Sequence, residues 1–152
     1  MGTREEHLER EQAAWEAFLA VVATVPADRL DDRSVVPGWS AKDLIWHNAG
    51  WATFAAEQLE EMVDGPFADP FEGVEAAHWD KVSEAMVEEG RALTFDEAMT
   101  AAEAARASMR TVWSSLPEID DDRARLFAEE TFLHYDDHAA EIRRYLGSAD
   151  LR

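Results

Sequence analysis

The stretch FLHYDDHAAEIRRYLG, residues 132–147, carries apolar side chains at helical spacing, with two histidines among them. An apolar stripe of this period predicts a helix that buries one face. We place this helix from about Arg123 to Leu146. We take Gly147 as its stop, because glycine commonly follows the last helical residue. The C-terminal part of the chain is therefore predicted to be one long amphipathic helix.

Three further helices are predicted by capping boxes, in which a Ser or Thr and an acidic residue three positions later satisfy free backbone donors. The boxes are TREE at residues 3–6, SAKD at 40–43 and TFDE at 94–97. The helices that they open are expected to end at about Val25, Asp64 and Leu116. A weaker helical pattern covers residues 74–90, after the connection GPFADPFEG, which is rich in proline and glycine.

The helical patterns together predict an all-α protein, because no stretch shows the alternation typical of a β-strand. Four long helices, with a short extra helical segment between the second and the third, indicate a four-helix bundle. The chain of 152 residues is long enough for one hydrophobic core, and no repeat or low-complexity tract divides it. We therefore predict a single domain over residues 1–152.

The composition narrows the functional classes. Asp and Glu number 33 against 14 Lys and Arg, a formal net charge of −19. Such an acidic protein repels the phosphates of nucleic acids and anionic membrane surfaces, so neither is expected as a partner. The chain has no cysteine, so any sulfur nucleophile must come from a small molecule. Without a signal peptide or a membrane span, we expect a cytoplasmic protein; a homodimer stays open.

Two of the five histidines, His134 and His138, lie four residues apart in the last predicted helix. Residues at this spacing lie on one helix face about 6 Å apart, so both imidazoles can reach one metal ion. A third ligand must come from another helix, and His47 is the natural candidate because Leu44, Trp51 and its other neighbours form an apolar face. A lone histidine on such a face is more often a core residue than a ligand, so spacing alone leaves both interpretations open.

Two stretches resemble the DinB-like metal-binding superfamily. VPGWSAKDLIWHNAGW, residues 36–51, is similar to its second-helix signature, and ETFLHYDDHAAEIRRYLG, residues 130–147, is similar to its last helix with a His-x-x-x-His pair. The resemblance covers essentially the whole chain, although residues 65–93 carry no recognised motif. It implies a DinB-like four-helix bundle. Trp46 and Asn48 depart from the pattern, because small or leucine residues are more usual beside the histidine.

The resemblance also implies a metal site and an activity. His47 matches the second-helix ligand, and His134 and His138 match the last-helix pair. The superfamily includes thiol-dependent S-transferases, in which a metal such as Zn or Ni activates mycothiol or bacillithiol for attack on an electrophilic small molecule. It also includes the N-terminal domain of mycothiol-dependent maleylpyruvate isomerase. A metal-dependent thiol transferase of detoxification or secondary metabolism is therefore expected. The composition weakly favours mycothiol, and no catalytic acid or base is assigned.

Several other residues are candidates for the pocket or for hydrogen bonds to the ligands. Glu130 and Glu141 each lie about one helical turn from a histidine of the pair and can orient an imidazole, although solvated carboxylates are more common on helices. We expect His7 on the surface, and we do not expect His78 to reach the metal. The aromatic candidates, each weighed against simple packing, are Tyr135, Trp46, Trp51 and Trp79. Trp39 is expected to pack the turn before the second helix.

Two alternatives to the transferase remain. The superfamily also contains proteins similar to the colibactin-resistance cyclopropane hydrolase, which favours a self-protection hydrolase in which the metal is vestigial. A bundle that binds a small molecule without turnover is the other alternative, since a fold does not determine a function. Metal content distinguishes the first alternative from the transferase. Product formation with a thiol distinguishes both enzymes from the binding protein.

Overall fold

The computed structural model describes residues 2–150 of the chain, which fold into six α-helices and one turn of 3-10 helix at Ala27–Arg29. The helices are α1 (Arg4–Val22), α2 (Ala41–Glu61), α3 (Ala76–Gly90), α4 (Phe95–Ser115), α5 (Asp121–Glu130) and α6 (Phe132–Asp150). Residues 2–150 contain no β-strand. The predicted all-α bundle with an extra helical segment, α3, before the third long helix is confirmed.

All three predicted capping boxes are present, at Thr3, Ser40 and Thr94. In each box the side-chain oxygen accepts from a backbone N–H three residues later, and the acidic side chain there accepts from the cap residue. These bonds satisfy donors that have no partner inside the helix and fix where α1, α2 and α4 begin. The helices end slightly earlier than predicted, α1 at Val22 and α2 at Glu61, which is the usual uncertainty at helix ends.

The four long helices pack as two close pairs, α1 with α6 and α2 with α4. α1 runs antiparallel to α4, because Arg4 contacts the C-terminal end of α4 while Trp15 donates to Glu103 nearer its beginning. Both α2 and α4 bury small residues, which take little space in a contact between helices. These residues are Ala52, Ala55, Ala98 and Ala102.

The short helix α3 runs back along α2, and two glycines allow the close approach. A Cβ atom on Gly50 of α2 would collide with Met86, and one on Gly90 of α3 would collide with the ring of Trp46. The indole N–H of Trp46 donates to the carbonyl of Met86 at 2.6 Å. Most of α3 is otherwise exposed, since only Val87 and Gly90 are buried in it.

The prediction of one continuous helix from Arg123 to Leu146 was wrong, because the chain breaks between α5 and α6 at Thr131. Thr131 leaves helical geometry with φ −122° and ψ −99°, and its hydroxyl donates to the carbonyl of Phe127 at 2.6 Å. Threonine hydroxyls that bond back to the preceding turn bend helices. Gly147 does not end the helix either, since α6 continues to Asp150. Glycine permits a stop but does not impose one.

A charged group lies inside the core, between α1, α4 and α6. Glu11 is fully buried, and its carboxylate accepts two hydrogen bonds from Arg106 at 2.7 and 2.8 Å. The hydroxyl of Tyr135 and the guanidinium of Arg110 also donate to it, at 3.0 and 2.7 Å. A buried carboxylate needs such partners, because leaving water costs several kcal/mol. The arrangement joins three helices at one point.

The expectation that His7 lies on the surface was wrong. Its ring is buried and packs against Trp113, Phe127 and Phe132, with centroids 5.3 to 6.0 Å apart. Its Nδ1 lies 2.9 Å from the carbonyl of Thr3. The surrounding charged residues face water while the histidine faces the core, because residues next to each other on a helix point in different directions.

No helix between residues 2 and 150 combines the length and the apolar character needed to cross a membrane.

Candidate metal centre

Three histidines from two helices meet at one point. His47 comes from α2, and His134 and His138 come from α6. The Nε2 atom of His134 lies 3.1 Å from that of His47 and 2.9 Å from that of His138. The three ring centroids are 4.5 to 4.9 Å apart. The structure therefore brings together all three residues that the sequence predicted as ligands, each offering one nitrogen to a common centre.

The position of the centre in the fold limits its contact with water. His47 and His138 are buried and His134 is half-buried. The ring of Trp39 lies 4.8 Å from that of His47, and Trp51, one turn further along α2, lies 6.4 Å from it. Two aromatic rings therefore cover one side of His47.

A carboxylate fixes the orientation of one imidazole. Glu141 lies one turn after His138 on α6, and its Oε1 is 2.8 Å from Nδ1 of His138. A proton on that Nδ1 donates to the carboxylate and leaves the lone pair of Nε2 facing the centre, as a metal ligand requires. The Nδ1 atoms of His47 and His134 are buried and have no partner among the described residues.

The surroundings of His47 and His134 keep these two imidazoles neutral. Burial, followed by the proximity of His134 and His138, lowers the pKa of His47 to about 2. Burial followed by the proximity of His138 lowers the pKa of His134 to about 3. Both rings therefore have free lone pairs at neutral pH, and binding a metal there does not require removing a proton from them.

The family of the chain follows from its sequence as a whole. The family model described as the mycothiol maleylpyruvate isomerase N-terminal domain matches residues 12–144. The chain belongs to this family. This membership confirms the resemblance to the DinB-like superfamily. No curated protein matches the chain.

A solved structure shares the fold of this member of the mycothiol maleylpyruvate isomerase N-terminal domain family. It is the crystal structure of an uncharacterised protein from Escherichia coli UTI89, with a TM-score of 0.77 and 12% sequence identity. The superposition covers 97% of this chain and 95% of the other. At this identity the likeness concerns the fold alone.

In this family member, the other predicted residues fall into different places. Glu130 is the last residue of α5, immediately before the break. Burial, followed by the charge of Glu129, raises its pKa to about 7, so it can gain or lose a proton near neutral pH. Tyr135 lies in the core, where its hydroxyl donates to Glu11, and it is not part of the histidine centre.

Trp51 lies beside His47 and contacts Trp79, with ring centroids 6.4 and 5.9 Å away. Trp46 instead packs on α3. His78 is exposed and lies outside the group of converging histidines. Sequence reasoning missed the contact of Trp39 with His47, since Trp39 was assigned only to the turn. Its place directly before the helix that carries His47 was the available signal.

Proposed function

We propose that this protein is a metal-dependent enzyme that activates a small-molecule thiol for S-transfer to, or isomerisation of, an electrophilic small molecule. The thiol is mycothiol, in keeping with the family, with bacillithiol as the second candidate. The metal is a single Zn or Ni ion held by His47, His134 and His138. Such a reaction serves detoxification or secondary metabolism.

The convergence of the three Nε2 atoms carries this proposal. Three ligands of a tetrahedral zinc ion lie about 3.3 Å apart, given zinc–nitrogen distances of about 2.0–2.1 Å. The observed separations of 3.1 and 2.9 Å are within a few tenths of an ångström of this spacing. Neutral imidazoles cannot satisfy three nitrogens at one point with hydrogen bonds alone, because each ring has only one proton. A cation at the centre gives every lone pair a partner.

The donor set fits the proposed metal. Imidazole suits Zn and Ni, and three protein ligands with an open position are the arrangement of catalytic rather than structural zinc. A metal at this position supplies a Lewis acid that lowers the pKa of a thiol or water in its open coordination position. The thiol must be external, since the chain has no cysteine.

The protein's own side chains contribute orientation and shielding. Glu141 holds the tautomer of His138 that directs its lone pair inward. Trp39 and Trp51 cover His47 and keep water from one side, which strengthens electrostatic interactions at the centre.

Elemental analysis tests the metal site. Protein purified without a histidine tag is expected to contain about one Zn or Ni per chain, since three imidazoles from the folded chain form one site. The same measurement on His138→Ala should give protein nearly free of metal. A wild-type protein that is metal-free and does not take up added zinc would refute the proposed chemistry.

A thiol-conjugation assay tests the activity. The metal-loaded protein is incubated with an aryl halide electrophile and mycothiol, bacillithiol, glutathione or no thiol. We expect conjugate formation with mycothiol that His138→Ala abolishes. Turnover of the electrophile without any thiol would favour the hydrolase instead. Binding without turnover under all four conditions would favour a sequestering protein.

A further inference from the structure

Four aromatic rings form a cluster next to the histidine centre. Trp51 and Phe54 follow His47 on α2, and Phe71 from the connection and Trp79 from α3 lie against them. Every pair of these four rings is in contact, with centroids 4.9 to 6.2 Å apart. We call these four residues the aromatic cluster. Trp51 connects the cluster to the histidine centre through its contact with His47.

The aromatic cluster lies at the edge of the hydrophobic core. Phe71 contacts that core, whereas Trp51, Phe54 and Trp79 do not belong to it. Phe54, Phe71 and Trp79 are also only half-buried. Three of the four rings are thus more exposed than the core residues of the bundle.

One polar atom in the cluster has no partner. The indole Nε1 of Trp79 is buried and makes no hydrogen bond to a described residue. Buried tryptophans usually find an acceptor, because an unsatisfied donor costs about 1–3 kcal/mol. Four of the other five tryptophans follow this rule and donate to protein oxygens. They are Trp15, Trp39, Trp46 and Trp113.

The charge around the cluster restricts what can supply the acceptor. Acidic residues precede and follow the aromatic residues of this segment, and the whole chain carries a net charge of −19. An anionic group would be repelled there. A simple cation would suit the charge and the aromatic faces but offers no acceptor to an N–H group. An uncharged carbonyl or similar oxygen meets both conditions.

We propose that the aromatic cluster is the substrate subsite of the histidine centre, and that it binds a flat, uncharged aromatic or conjugated group whose acceptor oxygen takes the N–H of Trp79. The ligand enters by displacing Phe71, the one ring of the four that lies outside a helix. Its reactive carbon then lies one ring away from His47. The role of the neighbouring metal rests on the proposed function, but binding in the cluster does not require the metal.

Three probes of similar size test separately whether the subsite requires a flat ring and whether it requires an acceptor oxygen. Methyl naphthyl ketone is flat and has an acceptor, naphthalene is flat without one, and cyclohexyl methyl ketone has the acceptor without the flat ring. Binding is measured by titration calorimetry, and the indole N–H signal of Trp79 is followed by NMR. We expect methyl naphthyl ketone to bind most tightly, and only ligands with both features to shift the Trp79 signal strongly.

Substitutions test the same two features. Trp79→Phe keeps a ring and removes the N–H, so it should weaken methyl naphthyl ketone about fivefold and leave naphthalene unchanged. Phe71→Leu should strengthen the binding of both flat probes about threefold, because a smaller side chain is easier to displace than the ring. Trp15→Phe is the matched control: it also loses an indole N–H, but at a distant place where the acceptor is Glu103. It should change no affinity.

The outcomes distinguish this proposal from the proposed function. The cluster is a subsite if the probes bind equally well to wild-type protein treated with a chelator, whether or not the metal-loaded protein turns over any electrophile. Equal affinity for the naphthyl and cyclohexyl ketones would overturn the inference. So would unchanged ketone affinity in Trp79→Phe together with an unshifted Trp79 signal. In either case the cluster only packs α3 against α2, and the metal chemistry is unaffected.

Discussion

At the scale of single residues, the contribution of His47 is the most informative. Two imidazoles on one helix hold an ion much less well than three, so His47→Ala should lose metal as completely as His138→Ala. His78→Ala is the matched control, since His78 is exposed and outside the centre. Metal content per folded chain measures the effect. If His47→Ala kept its full metal, His47 would be a core residue and the site would be built from other ligands.

The carboxylate of Glu141 provides a second prediction at this scale. Glu141→Gln removes the charge that orients the imidazole of His138 but keeps the size of the side chain. Loss of such a contact weakens metal binding about 10- to 100-fold. Competition with a zinc chelator measures the affinity. Asp137→Asn, an exposed carboxylate on the same helix, should leave it unchanged. Equal affinities in the two variants would show that Glu141 is only a solvated carboxylate.

At the scale of the helices, the buried charges between α1, α4 and α6 make the strongest prediction. Arg106→Met leaves the carboxylate of Glu11 buried without its main partner, which should lower the free energy of unfolding by about 3–5 kcal/mol. The double variant Glu11→Gln, Arg106→Met should recover part of this loss. Urea unfolding measures both.

An exposed pair serves as the control for that experiment. Asp122 and Arg125 form an ion pair 3.1 Å long on α5, with both side chains more than half exposed. Arg125→Met should cost less than about 1 kcal/mol, because surface pairs contribute little. A similar cost for Arg106→Met and Arg125→Met would mean that the buried contacts do not join the helices in the way described.

At the scale of the whole molecule, the lowered pKa values of His47 and His134 make the metal-free protein sensitive to acid. Below an unfolded-state pKa of 6.5 the unfolded chain binds protons that the folded chain does not. Stability is therefore present above this pH and is lost as the pH falls toward the folded values. At about pH 5, each of the two histidines should lower the free energy of unfolding by about 2 kcal/mol.

Glu130 acts in the opposite direction, because its pKa is raised to about 7 in the folded protein. It stabilises the fold below its unfolded value of 4.5, and this contribution is lost as the pH rises through about 7. We compare the free energy of unfolding of chelator-treated protein at about pH 7.5 and about pH 5. Between these two values it should fall further in Glu130→Gln than in the wild type. Equal losses would show that Glu130 is not protonated in the folded state at neutral pH.

The helices and their beginnings could be read from the sequence because they depend on local chemistry. The boxes at Thr3, Ser40 and Thr94 involve residues three positions apart, and the apolar stripes have a period that only a helix places on one side. The break at Thr131 was not predicted. The apolar pattern of the helix continues through Thr131 without interruption. The bond from the Thr131 hydroxyl to the carbonyl of Phe127 bends the chain there, and the sequence pattern does not reveal that bond.

The sequence by itself determined the all-α fold and, with the family resemblance, the three candidate ligands, since each depends on residue types at fixed spacing. Only the tertiary structure decided that the Nε2 atoms of His47 and His134 meet, because they lie 87 positions apart on different helices. It also placed Trp39 and the aromatic cluster beside them and buried His7. Contacts between distant segments follow from how the helices pack, and the spacing of residues along one helix does not contain that information.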